Sequence, residues 1–186
     1  WLSLRTDFRR LSNGTATRHQ RRCPSPSTRR CGEEIPNVDG SAKDFCDLIE
    51  EAGIEEQSAT TKVAVIRQKI GVGNEDKHAK HVYAEPFEGF EISMRVDYPP
   101  PIGEQTLTFN PKSGSFAKDI APARSFNTFE NIEMAQKLGK VGGGYLHSHI
   151  IMYDGKVINT ELRYPDEFVR HKILDLIGDL YLLGLP

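Results

Sequence analysis

The sequence predicts a mixed fold that contains both helices and strands, and three observations support this. Apolar residues recur at helical spacing in the segments 42–52 and 166–181. Between residues 62 and 110 the chain instead alternates apolar and polar residues, a pattern typical of half-buried strands. The chain has 186 residues, and its 38% hydrophobic content with nine phenylalanines is enough to supply a core. We therefore expect one or two domains.

Charge is distributed unevenly along the chain. Residues 1–32 hold eight arginines and one acidic residue, a net charge of +7. The remaining residues hold 16 basic and 25 acidic side chains, a net charge of −9. An acidic folded part argues against nucleic acid as a partner, and the basic head lacks the interleaved aromatic residues of a nucleic-acid binder. No apolar run approaches the length of a membrane span, so we expect no transmembrane segment.

The arginine- and serine-rich head, residues 1–33, has too few apolar side chains to fold alone. Its composition fits either a transit peptide or an unrelated disordered leader, and we favour the leader. Three cysteines, Cys23, Cys31 and Cys46, are odd in number and mostly in the head, which indicates a reducing compartment without a disulfide framework. We expect a cytoplasmic location, with an organelle as the alternative if the head is a transit peptide.

The first predicted helix spans 42–52. Turn residues precede it, and either Asp39 or Ser41 can cap its N-terminus. Gly53 stands where glycine commonly ends a helix. The helical spacing predicts a buried face made of Phe45, Leu48, Ile49 and Ala52.

Strands are predicted next. Alternation indicates strands over 62–67, 80–86, 89–98 and 105–110, with a hairpin-like break at 74–77. Three successive prolines at 99–101 must end the third of these strands. Beyond residue 110 we expect a short helix over 116–121, a helix over 128–138, a strand over 145–153, a two-residue turn at Asp154-Gly155 and a return strand over 156–159. His147 and His149 would then lie on the same face of that strand. They could form a metal-binding pair, but we expect them to be exposed side chains instead.

The last predicted helix, 166–181, carries an apolar stripe. The opposite face carries His171, Asp175 and Asp179, each four residues after the last. Apolar residues border that face, so we expect it to be buried and to need positive partners. One interpretation is a metal ion held by His171 and Asp175, with Lys172 or an incoming imidazole beside Asp179. The other is an exposed helix edge with local His–Asp and Lys–Asp pairs. The apolar stripe itself consists of Val169, Ile173, Leu176, Ile177 and Leu180.

Three segments of the chain resemble the zinc-dependent UDP-3-O-acyl-N-acetylglucosamine deacetylases of lipid A synthesis. They are 34–42 (EIPNVDGSA), 116–126 (FAKDIAPARSF) and 162–180 (LRYPDEFVRHKILDLIGDL). The third is a long and specific match, and the resemblance covers 34–186. It implies an α+β fold, a two-layer sheet-and-helix sandwich with zinc in the cleft between two domains. Residues 34–60 would be a remnant of the first domain, and 61–186 most of the second, with an insert at about 126–160.

The resemblance also implies a set of site residues. His171 and Asp175 match two of three zinc ligands. Asp179 matches the residue that orients and charge-balances the catalytic imidazole. Ser125 stands where the family usually has a threonine that helps to hold the developing oxyanion.

Two further residues match contacts to the substrate. Lys172 matches a contact to the diphosphate, and Phe126 matches a substrate-contacting phenylalanine. The implied reaction is hydrolysis of the acetamide of UDP-3-O-acyl-N-acetylglucosamine, with release of acetate. Zinc would lower the pKa of its water and polarise the acetyl carbonyl.

The chain departs from the family pattern in three places. The family's Glu-His pair, which supplies the general base and the third zinc ligand, has no counterpart in the basic head. The Gly-His-Ala motif with the catalytic histidine has no counterpart after the last helix, and the Gly-Gly-Ser-x-Asp run of the insert reads GGGYL at 142–146. We therefore expect a fragment that binds zinc weakly and has no deacetylase activity alone. The alternative is a truncated, inactive paralogue that acts as a binding module.

Overall fold

The structure is a computed structural model, and it describes residues 38–58, 60, 63–73, 80–139 and 145–184. The predictions made for the basic head and for the break at 74–77 lie outside these ranges. Within them, no helix combines the length and the apolar character that crossing a membrane requires.

The described residues form helices and three small sheets, which confirms the α+β prediction. The sheets are β1–β2, β3–β4 and β5–β6–β7. The elements in chain order are α1 (Lys43–Ala52), β1 (Ile70–Gly73), β2 (His81–Ala84), β3 (Ile92–Tyr98), β4 (Gly103–Phe109), a π-helical segment (Phe116–Ile120), β5 (Phe126–Thr128), α2 (Phe129–Lys137), a one-turn helix α3 (Tyr145–Ser148), β6 (Ile150–Tyr153), β7 (Lys156–Val157) and α4 (Glu167–Tyr181).

The longest sheet is the antiparallel pair β3–β4. Its register runs from Ile92 opposite Phe109 to Tyr98 opposite Gly103, and the three prolines lie in the connecting turn. The alternation predicted for β3 is confirmed, because Ile92 and Val96 are buried while their neighbours face outwards. The buried side of this sheet is the surface on which α4 packs.

The second sheet to matter for the site is β5–β6–β7. Strand β5 pairs in parallel with β6, and β7 pairs antiparallel with the other edge of β6. The predicted two-residue turn joins them: Asp154 and Gly155 both have positive φ, 47° and 68°, as a type I′ hairpin turn requires. Helix α2 packs against β5 and β6, as a crossover connection between parallel strands does.

Helix α4 contributes to both apolar cores. Ile173 is fully buried in a cluster with the β3–β4 sheet and the π-helical segment, and Phe168 is buried in a second cluster with β6. The helix therefore lies between the two sheets and fixes their relative placement. The first cluster consists of Ile92, Phe109, Ile120 and Ile173, and the second of Ile102, Ile150, Met152 and Phe168.

Two predicted strands are wrong in whole or in part. Residues 63–67 form no strand, and their valines, Val63 and Val65, are 44% and 67% exposed because no sheet covers them. The strand predicted over 145–153 begins only at Ile150, and the one-turn helix α3 precedes it. Strand β6 has partner residues on β5 only from Phe126 to Thr128, so the residues before Ile150 have no neighbouring strand. His147 and His149 consequently do not share a strand face.

Helix α1 begins one residue after the predicted start and ends at the predicted residue, but it lacks the predicted burial. None of its residues is buried, because the π-helical segment is its main neighbour among the described elements. Its N-cap is Ala42, without a side-chain cap. Asp39 Oδ1 instead accepts hydrogen bonds from the backbone N–H and the hydroxyl of Ser41, at 3.0 Å and 2.7 Å.

Candidate active site

One face of α4 carries four polar residues at successive helical turns: Glu167, His171, Asp175 and Asp179. Their exposure rises along the helix, from 0% for Glu167 and 8% for His171 to 44% for the Asp175 side chain. The predicted burial of this face is therefore correct for His171 and wrong for the two aspartates. Asp175 faces an open cleft and Asp179 lies near the exposed end of α4, so both aspartates are accessible.

The imidazole ring of His171 has a defined orientation. Its Nδ1 lies 3.0 Å from the carbonyl oxygen of Ala123, and since a carbonyl can only accept, Nδ1 must donate. Nε2 is directed towards Asp175 Oδ1, 3.4 Å away. The Phe126 ring meets the imidazole edge-on, with the ring centroids 6.2 Å apart. His171 is thus held on two sides, with Nε2 facing a carboxylate.

Asp175 lies between two nitrogen groups. Its Oδ1 faces His171 Nε2, and its Oδ2 accepts a hydrogen bond of 2.6 Å from Lys172 Nζ. Lys172 was one of the partners predicted for Asp179, but the i, i+3 spacing brings it to Asp175 instead. The same Nζ lies 5.5 Å from the centre of the Phe126 ring, within cation–π distance.

An open cleft of about 520 Å³ separates α4 from the loop before α1. Asp175 and Asp179 line one wall. The other wall is the loop around Gly40, whose carbonyl accepts a hydrogen bond of 2.8 Å from the Ser125 N–H. A Cβ on Gly40 would meet the Ser148 carbonyl oxygen at 1.8 Å, so only glycine permits this close approach. The loop therefore fixes the backbone at Ser125.

An ion pair joins the same loop to the segment before α4. Arg163 Nη2 donates to Asp39 Oδ2 at 2.6 Å, and Nη1 donates to the Pro122 carbonyl at 2.8 Å. Burial acts to raise the pKa of Asp39, but hydrogen bonds from Ser41 and Arg163 and the Arg163 charge outweigh it. The pKa of this carboxyl therefore lies below its usual value.

Two charged residues beside the site were not among the predicted site residues: Glu167, at the start of α4, and Arg124, just before β5. Arg124 and Glu167 form a buried ion pair, with Nε 2.8 Å from Oε1. Arg124 also donates to the Thr160 hydroxyl at 2.8 Å. Glu167 lies four residues before His171, and this spacing is the one sequence signal that could have added it to the polar face of α4. Arg124 has no such signal, because its partner is 43 positions away.

The structure brings most of the predicted site residues together. His171, Asp175, Lys172 and Phe126 form one connected group. Ser125 directly precedes Phe126, and Asp179 lines the same cleft as Asp175. Within the part of the chain that the structure describes, no set of three or more histidine, cysteine, aspartate and glutamate side chains is arranged to hold a metal ion.

A family model for UDP-3-O-acyl N-acetylglycosamine deacetylase matches residues 29–186 of this chain. The chain belongs to this family. A UDP-3-O-acyl-N-acetylglucosamine deacetylase of Acidithiobacillus ferrooxidans is 43% identical over 159 residues, 83% of this chain and 51% of the relative. The proteins of the same name from Thioalkalivibrio sulfidiphilus and Coxiella burnetii are 43% and 41% identical over 155 residues, in each case 81% of this chain and 50% of the relative.

The match confirms the resemblance drawn from the three sequence segments and extends it a few residues into the basic head. The chain spans about half the length of the curated relatives it matches.

Proposed function

We propose that this chain supplies part of the active site for zinc-dependent hydrolysis of the acetamide of UDP-3-O-acyl-N-acetylglucosamine, with release of acetate. The proposal is supported by membership of the deacetylase family together with the geometry of His171 and Asp175 on α4. The single observation that carries the metal part is the 3.4 Å separation of His171 Nε2 from Asp175 Oδ1.

That separation fits a shared zinc ion. Two ligand atoms about 2.0–2.1 Å from one tetrahedral ion lie roughly 3.3–3.4 Å apart. The hydrogen bond from His171 Nδ1 to the Ala123 carbonyl leaves Nε2 as the ring nitrogen that can bind a metal ion. Asp175 is accessible from the cleft, so an ion can reach the pair. His171 and Asp175 would thus hold zinc, which supplies a Lewis acid and an acidified water.

The remaining residues are proposed to act on the substrate. Lys172 is a partly exposed point charge beside Asp175, suited to a diphosphate. Phe126 presents a ring beside it for an apolar or sugar contact. Ser125, whose backbone Gly40 fixes, would donate its hydroxyl hydrogen to the oxyanion that develops on the acetyl carbonyl. Asp179 would orient and charge-balance an imidazole that enters the cleft.

Zinc titration of this chain tests the metal site. We expect detectable one-to-one binding by calorimetry in the wild type and its loss in His171→Ala and in Asp175→Asn. His147→Ala is the matched control, because His147 is an exposed histidine in α3 and should leave binding unchanged. Equal binding in all four proteins would contradict the assignment of the ligands.

A chimera tests the reaction. Residues 34–186 of this chain would replace the matched segment of the Acidithiobacillus ferrooxidans relative, which retains its own remaining half. We expect zinc-dependent acetate release from UDP-3-O-acyl-N-acetylglucosamine by the chimera, and its loss with His171→Ala but not with His147→Ala. A folded chimera that binds zinc and the substrate without turnover would favour the alternative, an inactive binding module.

A further inference from the structure

The peptide group between Ala123 and Arg124 is held at both ends by two side chains of α4. Its carbonyl accepts a hydrogen bond of 3.0 Å from His171 Nδ1. Its N–H, on Arg124, donates to Glu167 Oε1 at 3.1 Å. Glu167 and His171 are four residues apart and lie one helical turn from each other on the same face. One backbone peptide therefore connects a buried carboxylate to the proposed metal-binding imidazole.

The Glu167 carboxylate is fully buried and accepts four hydrogen bonds. Oε1 accepts from the Arg124 N–H and from Arg124 Nε, at 3.1 Å and 2.8 Å. Oε2 accepts from Arg124 Nη2 and from the Arg163 N–H, at 3.1 Å and 2.6 Å. Two of the four donors are backbone N–H groups, so the carboxylate holds the backbone at Arg124 and at Arg163 as well as neutralising the Arg124 side chain.

We infer that Glu167 is a positioning residue for His171 and acts through the Ala123–Arg124 peptide. A carboxylate bonded to the N–H fixes the rotation of the peptide plane and polarises it, which makes the carbonyl a stronger acceptor. The stronger bond at Nδ1 holds the imidazole in one tautomer and makes Nε2 a better donor to a metal. The effect on the tautomer stands alone, and the effect on zinc rests on the proposed function.

A purely structural ion pair would behave differently. If Glu167 served only to neutralise Arg124, its replacement would lower stability without altering His171 in the molecules that remain folded. The two roles are therefore separated by a readout at the imidazole itself. The ¹⁵N chemical shifts of His171 report which ring nitrogen carries the proton, and they require neither zinc nor substrate.

Glu167→Gln is the test variant. It preserves the volume but replaces one acceptor oxygen by an NH₂ group, which must face two of the four donors. In the wild type, at mildly alkaline pH and without metal, we expect the His171 proton on Nδ1. In folded Glu167→Gln we expect a mixture of the two tautomers. Asp166→Asn is the matched control, because it removes a partly buried ion pair with Arg170 from the same helix end and should leave His171 unchanged.

Glu167→Asp provides the test if Glu167→Gln does not fold. Aspartate keeps the charge beside Arg124 but is one methylene too short to reach both backbone N–H groups, so we expect the same loss of tautomer preference. For zinc alone as the probe, either variant should lower affinity roughly ten- to hundredfold. If every folded Glu167 variant gave the same His171 ¹⁵N chemical shifts as the wild type, the inference would be overturned. A changed tautomer in a protein whose wild type binds no zinc would contradict the proposed function instead.

Discussion

Arg163 Nη2 lies 2.6 Å from Asp39 Oδ2, although 124 positions separate the two residues. Asp39 belongs to the loop that forms one wall of the cleft, and Arg163 to the segment that leads into α4. Because α1 has no buried residue, this ion pair and a few backbone hydrogen bonds hold the N-terminal part against the rest of the described chain. The width of the cleft therefore depends on the pair.

The first prediction concerns the pH dependence of this pair. The pKa of Asp39 is lower in the folded chain than its usual value of 3.8, so the stabilisation is present above that value and is lost as the pH falls through the folded pKa. We expect Asp39→Asn to reduce the free energy of unfolding by about 1 kcal/mol at neutral pH, since the pair is partly exposed. The difference from wild type should vanish in acid. Urea unfolding at a series of pH values measures it.

Asp47→Asn is the control for this prediction. It removes the Lys43–Asp47 ion pair, which is exposed on α1. We expect no measurable change in the free energy of unfolding. A pH-independent loss in Asp39→Asn would mean that the carboxylate charge is not what stabilises the loop.

The second prediction concerns Gly40. A Cβ at this position would meet the Ser148 carbonyl oxygen at 1.8 Å, and the residue has φ of +83°. We expect Gly40→Ala to cost roughly 3 kcal/mol, from the unfavourable backbone conformation and the steric clash together. Gly155→Ala is the matched control, because Gly155 also has positive φ, +68°, but its Cβ would meet nothing within 4 Å. It should cost about 1–2 kcal/mol.

Thermal and urea unfolding of the two alanine variants give the comparison. Equal losses would show that the Gly40 loop is not seated against Ser148. A larger loss for Gly40→Ala, accompanied by a change in the backbone amide signal of Ser125, would support the close approach.

The third prediction separates the two proposed roles around Asp175. Lys172 Nζ donates to Asp175 Oδ2 at 2.6 Å, so it competes with a metal ion for that carboxylate and repels the ion. We expect Lys172→Met to tighten zinc binding by about three- to fivefold, equivalent to roughly 0.5–1 kcal/mol. The same variant should weaken the binding of UDP, because the charge proposed to contact the diphosphate is lost. Calorimetric titrations with zinc and with UDP measure the two affinities, which should change in opposite directions.

Lys137→Met is the control for Lys172, since Lys137 also pairs with an acidic residue one turn away, Glu133, on a different helix. Neither affinity should change in this variant. Parallel changes of zinc and UDP affinity in Lys172→Met would contradict the separate roles.

Local patterns of the sequence predict the longer helices, α1, α2 and α4, and the polar stripe of α4. Val169 and Ile173 are fully buried as their spacing indicates, and His171 and Asp175 meet because i, i+4 residues share a helix face. The point along α4 at which its side chains become exposed could not be predicted in the same way. It depends on how far the two sheets extend along the helix. The strands predicted over 63–67 and 145–149 are themselves absent.

The partners that complete the site are largely invisible to sequence patterns. His171 Nδ1 bonds to a backbone carbonyl, that of Ala123, and every residue has a carbonyl regardless of its side chain. The Arg163–Asp39 pair joins positions 124 residues apart, so no local period reports it. Glu167 is the exception, because its i−4 spacing from His171 was readable from the sequence.

The fourth prediction concerns the unequal burial of α4. Ile173 is fully buried between the β3–β4 sheet and the π-helical segment, whereas Leu180, on the same predicted stripe, is 40% exposed. We expect Ile173→Ala to lower the free energy of unfolding by about 2–5 kcal/mol, through lost burial and the cavity left behind. Leu180→Ala, which removes a similar volume two turns later, should cost less than about 1 kcal/mol. Urea unfolding measures both, and similar losses would mean that the last turns of α4 are covered as firmly as the first.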